Sequence, residues 1–286
     1  MHEFGSETLE GLLAYPVLEV FPSPGIEERV AQLPEGTRLS VTCSPAKGVD
    51  ATLALSGSLR REGFTVVPHI SARLVDDHRH LEAICRRLTD LGIGEIFVIG
   101  GDLKQPAGRF SSAHDLLAAM AELGHGFDEV GVAAYPEGHP TLSDETLWRH
   151  LRAKQPLATY TVTQMCFDAE TILTWIDRAH REGIALRVVI GLPGVVQRRK
   201  LLSLSLKIGV GDSTRFIAKH SDLTAKLMSS GRYSPENLVT RLALEAERRR
   251  LPLGGLHIYT FNQIDGTVRW RTQMLSSVGG ERGAGS

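Results

Sequence analysis

The 286-residue sequence predicts an α/β fold, a single (β/α)8 TIM barrel with an extra helix before the last strand. Three observations lead to this prediction. Eight short, apolar, β-branched runs recur along the chain, segments of helical periodicity separate them, and no linker or change in composition divides the sequence. Strands that are apolar throughout and alternate with helices are typical of buried parallel pairing. We therefore expect one domain over residues 1–286, with a flexible tail from about residue 277 to 286.

The predicted strands and helices follow one another in a regular order. The strands are expected at Val17–Phe21, Arg38–Cys43, Thr65–Ile70, Glu95–Ile99, Glu129–Ala134, Thr159–Gln164, Leu186–Ile190 and Leu256–Phe261. The helices between them are expected at Ile26–Leu33, Val49–Glu62, Asp76–Leu91, Ala113–Leu123, Ser143–Lys154, Ala169–Arg181 and Gln197–Lys207. The extra helix is expected at Ser234–Arg250. Eight strands in a chain of this length match the number in a TIM barrel.

Residues that favour helix termini stand at the predicted helix boundaries. Asp168 is placed to cap the sixth predicted helix, and Gly183 follows its carboxyl end. Ser234 is the expected N-cap of the extra helix, with Pro235 at the first helical position. These boundaries support the assignment of the helices independently of their apolar periodicity.

A doubly wound open sheet is the alternative arrangement of such strands and helices. That fold usually carries a glycine-rich phosphate-binding turn after its first strand. Here the first strand continues as Glu-Val-Phe-Pro-Ser-Pro over residues 19–24, which contains no glycine. The barrel is therefore favoured, and its functional site is expected on the loops that follow the strands.

The charge, hydropathy and cysteine content of the sequence indicate which partners and which compartment to expect. A formal net charge of -1 gives no indication of a nucleic acid or an anionic membrane. No apolar run reaches the roughly 20 residues of a membrane span, and the amino terminus does not resemble a signal peptide. The cysteines Cys43, Cys85 and Cys166 form no CxxC pair, which suits a reducing compartment. We expect a cytoplasmic protein with small-molecule partners; the oligomeric state is left open.

Polar residues recur at the same end of nearly every predicted strand. Glu19 lies inside the apolar first strand, where a carboxylate is costly to desolvate unless it is paired or functional. A structural ion pair is the alternative for Glu19, and a helix cap or a core contact is the alternative for most of the others. Their recurrence at one end favours a shared site. The candidates are Glu19, Thr42, His69, Gly101, Asp102, Tyr135, His139, Gln164, Tyr259 and Asn262.

Other kinds of site fit the sequence poorly. His69, His139 and His257 have no histidine partner at metal-ligand spacing, and the cysteines are not clustered, so no metal is expected. The GxSxG elbow of a serine hydrolase is absent. Walker and GxGxxG phosphate loops are absent as well, although a barrel can bind a nucleotide without them.

Seven motifs together resemble those of the methylenetetrahydrofolate reductase family. In chain order they are Glu19–Pro22, Val41–Thr42, Pro68–His69, Gly101–Asp102, Ala133–Pro140 (Ala-Ala-Tyr-Pro-Glu-Gly-His-Pro), Thr163–Gln164 with Phe167–Asp168, and His257–Asn262. The motif of residues 133–140 and the Thr-Gln…Phe-Asp pair are the specific ones. The family is a flavin-bearing (β/α)8 barrel, in agreement with the fold predicted from the strands.

The resemblance implies reduction of 5,10-methylenetetrahydrofolate to 5-methyltetrahydrofolate with NAD(P)H, NADH being favoured. Glu19 matches the general acid that assists opening of the five-membered ring, and Asp102 matches a carboxylate that holds the pterin. Gln164 matches a residue that contacts both pterin and nicotinamide. Tyr259 and Asn262 belong to a motif expected to bind substrate. The positions expected to line the flavin are Thr42, His69, Gly101, Tyr135, His139 and Gln164.

The departures from the family pattern concern the flavin, FAD. Cys43, Gly100 and Gln263 stand where the family often has Tyr, Arg and a basic residue. The helix after the fifth strand retains only Arg149, Arg152 and Lys154 as candidates for the flavin phosphates. Hydride could therefore reach the folate by way of FAD or directly from NAD(P)H, with Tyr135 and His139 holding a nicotinamide.

A folate-binding barrel without reductase activity is the second hypothesis. Such a protein would act as a tetrahydrofolate-dependent methyltransferase or carry folate. Retention of Glu19 favours the reductase, because methyl capture by the folate N5 needs no ring-opening acid.

Overall fold

The computed structural model describes residues 6–201 and 231–283, with side chains described as far as Val278. Eight strands form the main sheet: β1 (Val17–Val20), β2 (Arg38–Val41), β3 (Thr65–Ser71), β4 (Glu95–Ile99), β5 (Glu129–Ala134), β6 (Tyr160–Thr163), β7 (Arg187–Pro193) and β10 (Leu256–Tyr259). They close into a parallel barrel in the order β1-β10-β7-β6-β5-β4-β3-β2. The predicted α/β fold, a (β/α)8 barrel, is confirmed.

Helices alternate with these strands as the sequence predicts. They are α1 (Ser6–Ala14), α2 (Ile26–Val30), α3 (Gly48–Arg61), α4 (His78–Asp90), α5 (Ala113–Leu123), α6 (Asp144–Lys154), α7 (Ala169–Arg181), α8 (Glu236–Arg249) and α9 (Ile264–Gly283). The bounds of α5 and α7 are those predicted, and α8 is the extra helix before the last strand. Of the predicted helix Gln197–Lys207, residues 198–201 are helical, Gln197 belongs to a short strand described below, and residues 202–207 lie outside the described residues.

The helix caps agree with the prediction at α7 and differ by one residue at α8. The Asp168 carboxylate accepts a hydrogen bond from the Thr171 backbone N–H at 3.0 Å, and Gly183 adopts a positive φ of 77°. The predicted N-cap Ser234 is wrong by one position. Pro235 takes that place because its carbonyl accepts the first helical bond, from Val239 N–H at 2.9 Å.

Helices α1 and α9 have no counterpart in the prediction. The Arg271 guanidinium of α9 donates to the last carbonyls of α1, at 2.6 Å to Leu13 O and 2.5 Å to Ala14 O. The tail predicted from about residue 277 is helical as far as Gly283, and buried Trp270 and Val278 anchor this helix by packing. Residues 284–286 lie outside the described residues.

The chain divides into two compact units. The amino-terminal unit consists of Val17–Ala133 and Arg149–Val162. It holds β1–β4, all but the last residue of both β5 and β6, helices α2–α5 and the second half of α6. Buried aliphatic residues such as Leu39, Ile70 and Ile96 pack on its strands. The expectation of one domain stays a prediction.

The carboxyl-terminal unit consists of the residues up to Pro16, Ala134–Trp148 and the chain from Thr163 on. Within it α1 packs on α8 and α9, and α8 packs on α7. Two short strands, β8 (Val196–Gln197) and β9 (Arg232–Tyr233), pair antiparallel after β7. Among the described residues, no helix has the length and apolarity that a membrane crossing requires.

Candidate active site

Glu19 projects from β1 in the amino-terminal unit, and its flanking residues Leu18 and Val20 are buried. Its register partner on β2 is Ser40. Glu19 Oε2 lies 3.8 Å from His69 Nε2, and 16% of the Glu19 side chain is exposed. The carboxylate that the sequence singles out therefore faces an ionisable group, as both an acid site and an ion pair would require.

His69 is held on two sides within the same unit. Its Nε2 lies 2.6 Å from the Ser40 Oγ, and its ring centroid lies 4.8 Å from that of Phe97. Phe97 is also its register partner on β4. Ser40 and His69 are both buried, with 0% and 5% exposed. Ser40 could not be predicted as a site residue, because a serine in a β-strand carries no signal of its own.

Thr42 and Cys43 follow β2. The Thr42 N–H donates to Val20 O, and the Thr42 carbonyl accepts from the Thr52 hydroxyl, both at 2.9 Å. Cys43 is buried, and this burial raises the pKa of its thiol. A thiol kept neutral in this way packs as a small apolar group rather than as a nucleophile.

Gly101 and Asp102 open the long loop after β4. Gly101 has a φ of 91°, and a Cβ atom at this position would overlap Ser71 Oγ. Asp102 is exposed on the loop. The loop is held by Arg73, whose guanidinium donates to Leu103 O at 3.0 Å and to two further carbonyls, those of Lys104 at 3.1 Å and Ser111 at 2.9 Å. A single Arg after a strand gives no sequence signal, so this role was missed.

Tyr135 and His139 lie in the carboxyl-terminal unit on the loop after β5. The Gly138 N–H donates to Tyr135 O at 3.0 Å, and the two rings meet edge to face at 5.1 Å and 89°. His139 Nδ1 accepts from the Thr141 N–H at 3.3 Å. An accepting Nδ1 places the proton of the neutral imidazole on Nε2, which can then donate to a ligand.

Gln164 directly follows β6, and both its backbone and its side chain form hydrogen bonds. Its N–H donates to Ala134 O at 2.7 Å, and its Oε1 accepts from the Met165 N–H at 2.9 Å. Because Oε1 is engaged, the amide presents itself to a ligand as a donor.

The His257–Asn262 motif begins on β10 and ends in a strained turn. Gln263 N–H donates to Thr260 O at 2.8 Å, and the two residues between them, Phe261 and Asn262, have φ values of 51° and 58°. Asn tolerates this left-handed region, whereas a bulky residue such as Phe does so at a cost. Asn262 is buried, and the Tyr259 hydroxyl donates to Thr163 O at 3.2 Å.

The ring of Phe261 is directed into an apolar cluster of the carboxyl-terminal unit. Met165, Val196 and Leu201 form its buried part, and Phe167, Tyr233, Tyr259 and Phe261 pack against them. Val196 and Tyr233 belong to the β8–β9 pair, which could not be predicted from the sequence because strands of two residues show no periodicity.

The three basic residues of α6 differ in their exposure. Arg149 and Arg152 are exposed, but Lys154 is buried, and its Nζ donates to Ala133 O at 3.2 Å. Burial lowers the pKa of Lys154 to about 8. Lys154 is therefore wrong as a candidate for a flavin phosphate, since its ammonium group is turned into the protein.

Comparison with known proteins identifies the family. Residues 27–269 match the family model described as methylenetetrahydrofolate reductase. The chain belongs to this family. The match includes β2 to β10 and with them Asp102 and Gln164, whereas β1 and Glu19 precede it.

Several curated methylenetetrahydrofolate reductases resemble the chain. The enzyme of Pectobacterium carotovorum subsp. carotovorum is 34% identical over 145 residues, which cover 49% of this chain and 47% of that protein. A probable methylenetetrahydrofolate reductase (NADPH) of Caenorhabditis elegans is 25% identical over 98% of this chain and 44% of that protein. The chain thus spans about half the length of the curated relatives it matches.

A solved structure shares the fold. An uncharacterized protein from Clostridium thermocellum, which binds two copies of 5-methyl-5,6,7,8-tetrahydrofolic acid, superposes with a TM-score of 0.60. The comparison covers 95% of this chain and 98% of that chain at 12% identity. At this identity the likeness shows the barrel fold alone.

Proposed function

We propose that the protein reduces 5,10-methylenetetrahydrofolate to 5-methyltetrahydrofolate with a hydride from NAD(P)H, NADH being favoured. Membership of the methylenetetrahydrofolate reductase family supports this reaction class. The observation that carries the proposal is the placement of Glu19, a partly buried carboxyl on β1 within 3.8 Å of His69. A folate carrier has no use for an acid at this position.

Glu19 acts as the general acid of the proposed reaction. It donates a proton as the five-membered ring opens, and this step produces an iminium cation. The hydride then reduces that cation to the methyl group. Asp102 holds the pterin and stabilises the developing positive charge, and its effect is electrostatic. Gln164 donates to the pterin and the nicotinamide, and Tyr259 and Asn262 complete the substrate contacts.

The residues fit a tightly bound FAD poorly. Lys154 is turned into the protein, Cys43 is buried and small, and Gly100 offers no side chain. We infer that NAD(P)H itself occupies the place next to Tyr135 and His139, and that the His139 Nε2–H donates to it. Folate and dinucleotide are then bound together during hydride transfer.

An anaerobic assay of the purified protein tests the proposal. NADH and NADPH oxidation is followed with 5,10-methylenetetrahydrofolate, with and without added FAD, and the absorption spectrum of the protein is recorded. We expect a colourless protein, folate-dependent NADH oxidation that FAD does not accelerate, and intersecting initial-rate plots. Parallel plots and a yellow protein would indicate alternating turnover through flavin. Folate binding without oxidation of either dinucleotide would support the methyltransferase or carrier hypothesis instead.

A further inference from the structure

Three polar side chains lie on adjacent strands of the amino-terminal unit. Glu19 of β1 pairs in register with Ser40 of β2, and Ser40 pairs with Val67 of β3. His69 follows two residues after Val67, so its side chain emerges on the same face of the sheet. The strand register therefore brings a carboxyl, a hydroxyl and an imidazole together on one face.

The Nε2 atom of His69 lies close to both Ser40 and Glu19. His69 Nε2 lies 2.6 Å from Ser40 Oγ, within hydrogen-bond distance, and 3.8 Å from Glu19 Oε2, within ion-pair distance. The Ser40 hydroxyl can accept from an Nε2–H or donate to a bare Nε2. It therefore holds the ring in the same orientation whether or not the imidazole is protonated.

Packing restricts the imidazole further. Phe97 lies against the ring, and only 5% of His69 is exposed. Little exposed surface of His69 is left to contact a large planar cofactor. The family resemblance implies such a flavin contact for this residue.

We propose that His69 is a positioning residue for Glu19. Together with Ser40 it fixes the carboxyl on β1, and it offsets the negative charge that remains on Glu19 after the proton has passed to the folate. This inference rests on the proposed function of Glu19. In this proposal His69 acts through the Glu19 carboxyl and does not line a flavin.

Kinetic variants test the assignment. His69→Leu is expected to lower kcat about tenfold or more, the usual effect of losing an electrostatic stabiliser. His69→Gln, which keeps a donor near the position of Nε2, should retain most of the rate, and Ser40→Ala should lower kcat by a smaller factor. KM for NADH and the dissociation constant of 5-methyltetrahydrofolate should stay unchanged. Val67→Ala, on the same face of β3, is the control for loss of packing.

Two kinetic outcomes would overturn the proposal. One is an increase in KM for NADH in His69→Leu with kcat unchanged, because a residue that lines the dinucleotide site would behave in this way. The other is an equal loss of kcat in His69→Leu, His69→Gln and Val67→Ala, which would indicate a packing role alone.

A spectroscopic test separates this proposal from the proposed function. The imidazole nitrogen resonances of His69 are compared between the native protein, Glu19→Gln and Asp102→Asn. We expect Glu19→Gln to shift them and Asp102→Asn to leave them unchanged, whether or not the protein oxidises NADH. Identical His69 resonances in all three proteins would refute the coupling, whereas a native protein that lacks folate-dependent NADH oxidation would refute only the reductase function.

Discussion

Gly101 lies against Ser71 so closely that no side chain fits between them. A Cβ atom on Gly101 would overlap the Ser71 Oγ and lie 3.2 Å from the Ser71 Cβ. The φ of 91° at Gly101 also belongs to the left-handed region that glycine alone adopts at low cost. Two independent constraints therefore require glycine at the start of the loop that carries Asp102.

Replacing Gly101 by alanine tests the contact with Ser71. Gly101→Ala should lower the free energy of unfolding by about 2 to 6 kcal/mol, since backbone strain and overpacking each cost about 1 to 3 kcal/mol. Gly138→Ala is the matched control, because Gly138 has a φ of 88° and, among the described residues, no heavy atom lies within 4 Å of the position that its new methyl group would take. Urea unfolding should show the larger loss at Gly101, partly recovered by adding Ser71→Gly. Equal losses at both glycines would show that the contact with Ser71 is unimportant.

Glu19→Gln should abolish reductase turnover while folate binding survives, because the amide is nearly isosteric but has no acidic proton. Initial rates and calorimetric binding of 5-methyltetrahydrofolate measure the two effects. Glu95→Gln is the matched control: Glu95 is a strand carboxylate of the same unit that pairs with Arg38 at 2.5 Å. It should retain turnover. Equal loss of folate binding in Glu19→Gln would contradict the acid role.

Asp102→Asn should slow the reaction by a factor of about ten or more, as the loss of one electrostatic stabiliser typically does. Because Arg73 donates to three carbonyls of this loop and remains in place, the fold should stay intact. Single-turnover rates provide the measurement, and Asp90→Asn, an exposed carboxylate of α4, is the control. An unchanged rate would remove Asp102 from the site.

Arg73→Lys should loosen the Asp102 loop. The guanidinium bonds three carbonyls at once, and an ammonium group lacks the planar fork that this arrangement needs. We expect faster hydrogen exchange over residues 103–111 and a several-fold lower kcat. Arg109→Lys changes an exposed residue of the same loop and should affect neither quantity. Unchanged exchange in Arg73→Lys would show that the loop is held by its backbone alone.

Lys154→Met should stabilise the protein below pH 8. Burial lowers the pKa of Lys154 from 10.5 to about 8, so below pH 8 the folded state bears the full cost of a buried ammonium. Between about pH 8 and 10.5 the folded state loses this proton first, and the free energy of unfolding therefore rises with pH. The cost is about 3 kcal/mol at most.

Chemical unfolding at several pH values measures this effect. The difference in stability between Lys154→Met and the native protein should be largest below pH 8 and shrink towards pH 10.5, as the native amine becomes neutral. Lys104→Met, an exposed lysine, serves as the control. A difference that does not change with pH would mean that the charge of Lys154 is not the cause.

The secondary structure was largely predictable because it depends on local patterns. Apolar runs and helix caps such as Asp168 located all eight barrel strands and helices α2–α8. Helices α1 and α9 and the β8–β9 pair escaped prediction, because they are stabilised by packing against distant segments rather than by a strong periodicity of their own. The loop of Tyr135 and His139 was recognisable because its two prolines restrict the backbone directly after a predicted strand.

Strand alternation and turn chemistry are visible within a few neighbouring positions, so the barrel, the family resemblance and the residues at the strand ends could be inferred from the sequence. Which of these residues meet depends on the tertiary structure. Strand register placed Ser40 and His69 beside Glu19, and helix packing turned Lys154 inward to Ala133. Register and burial depend on partners far away in the chain, so no local pattern could reveal them.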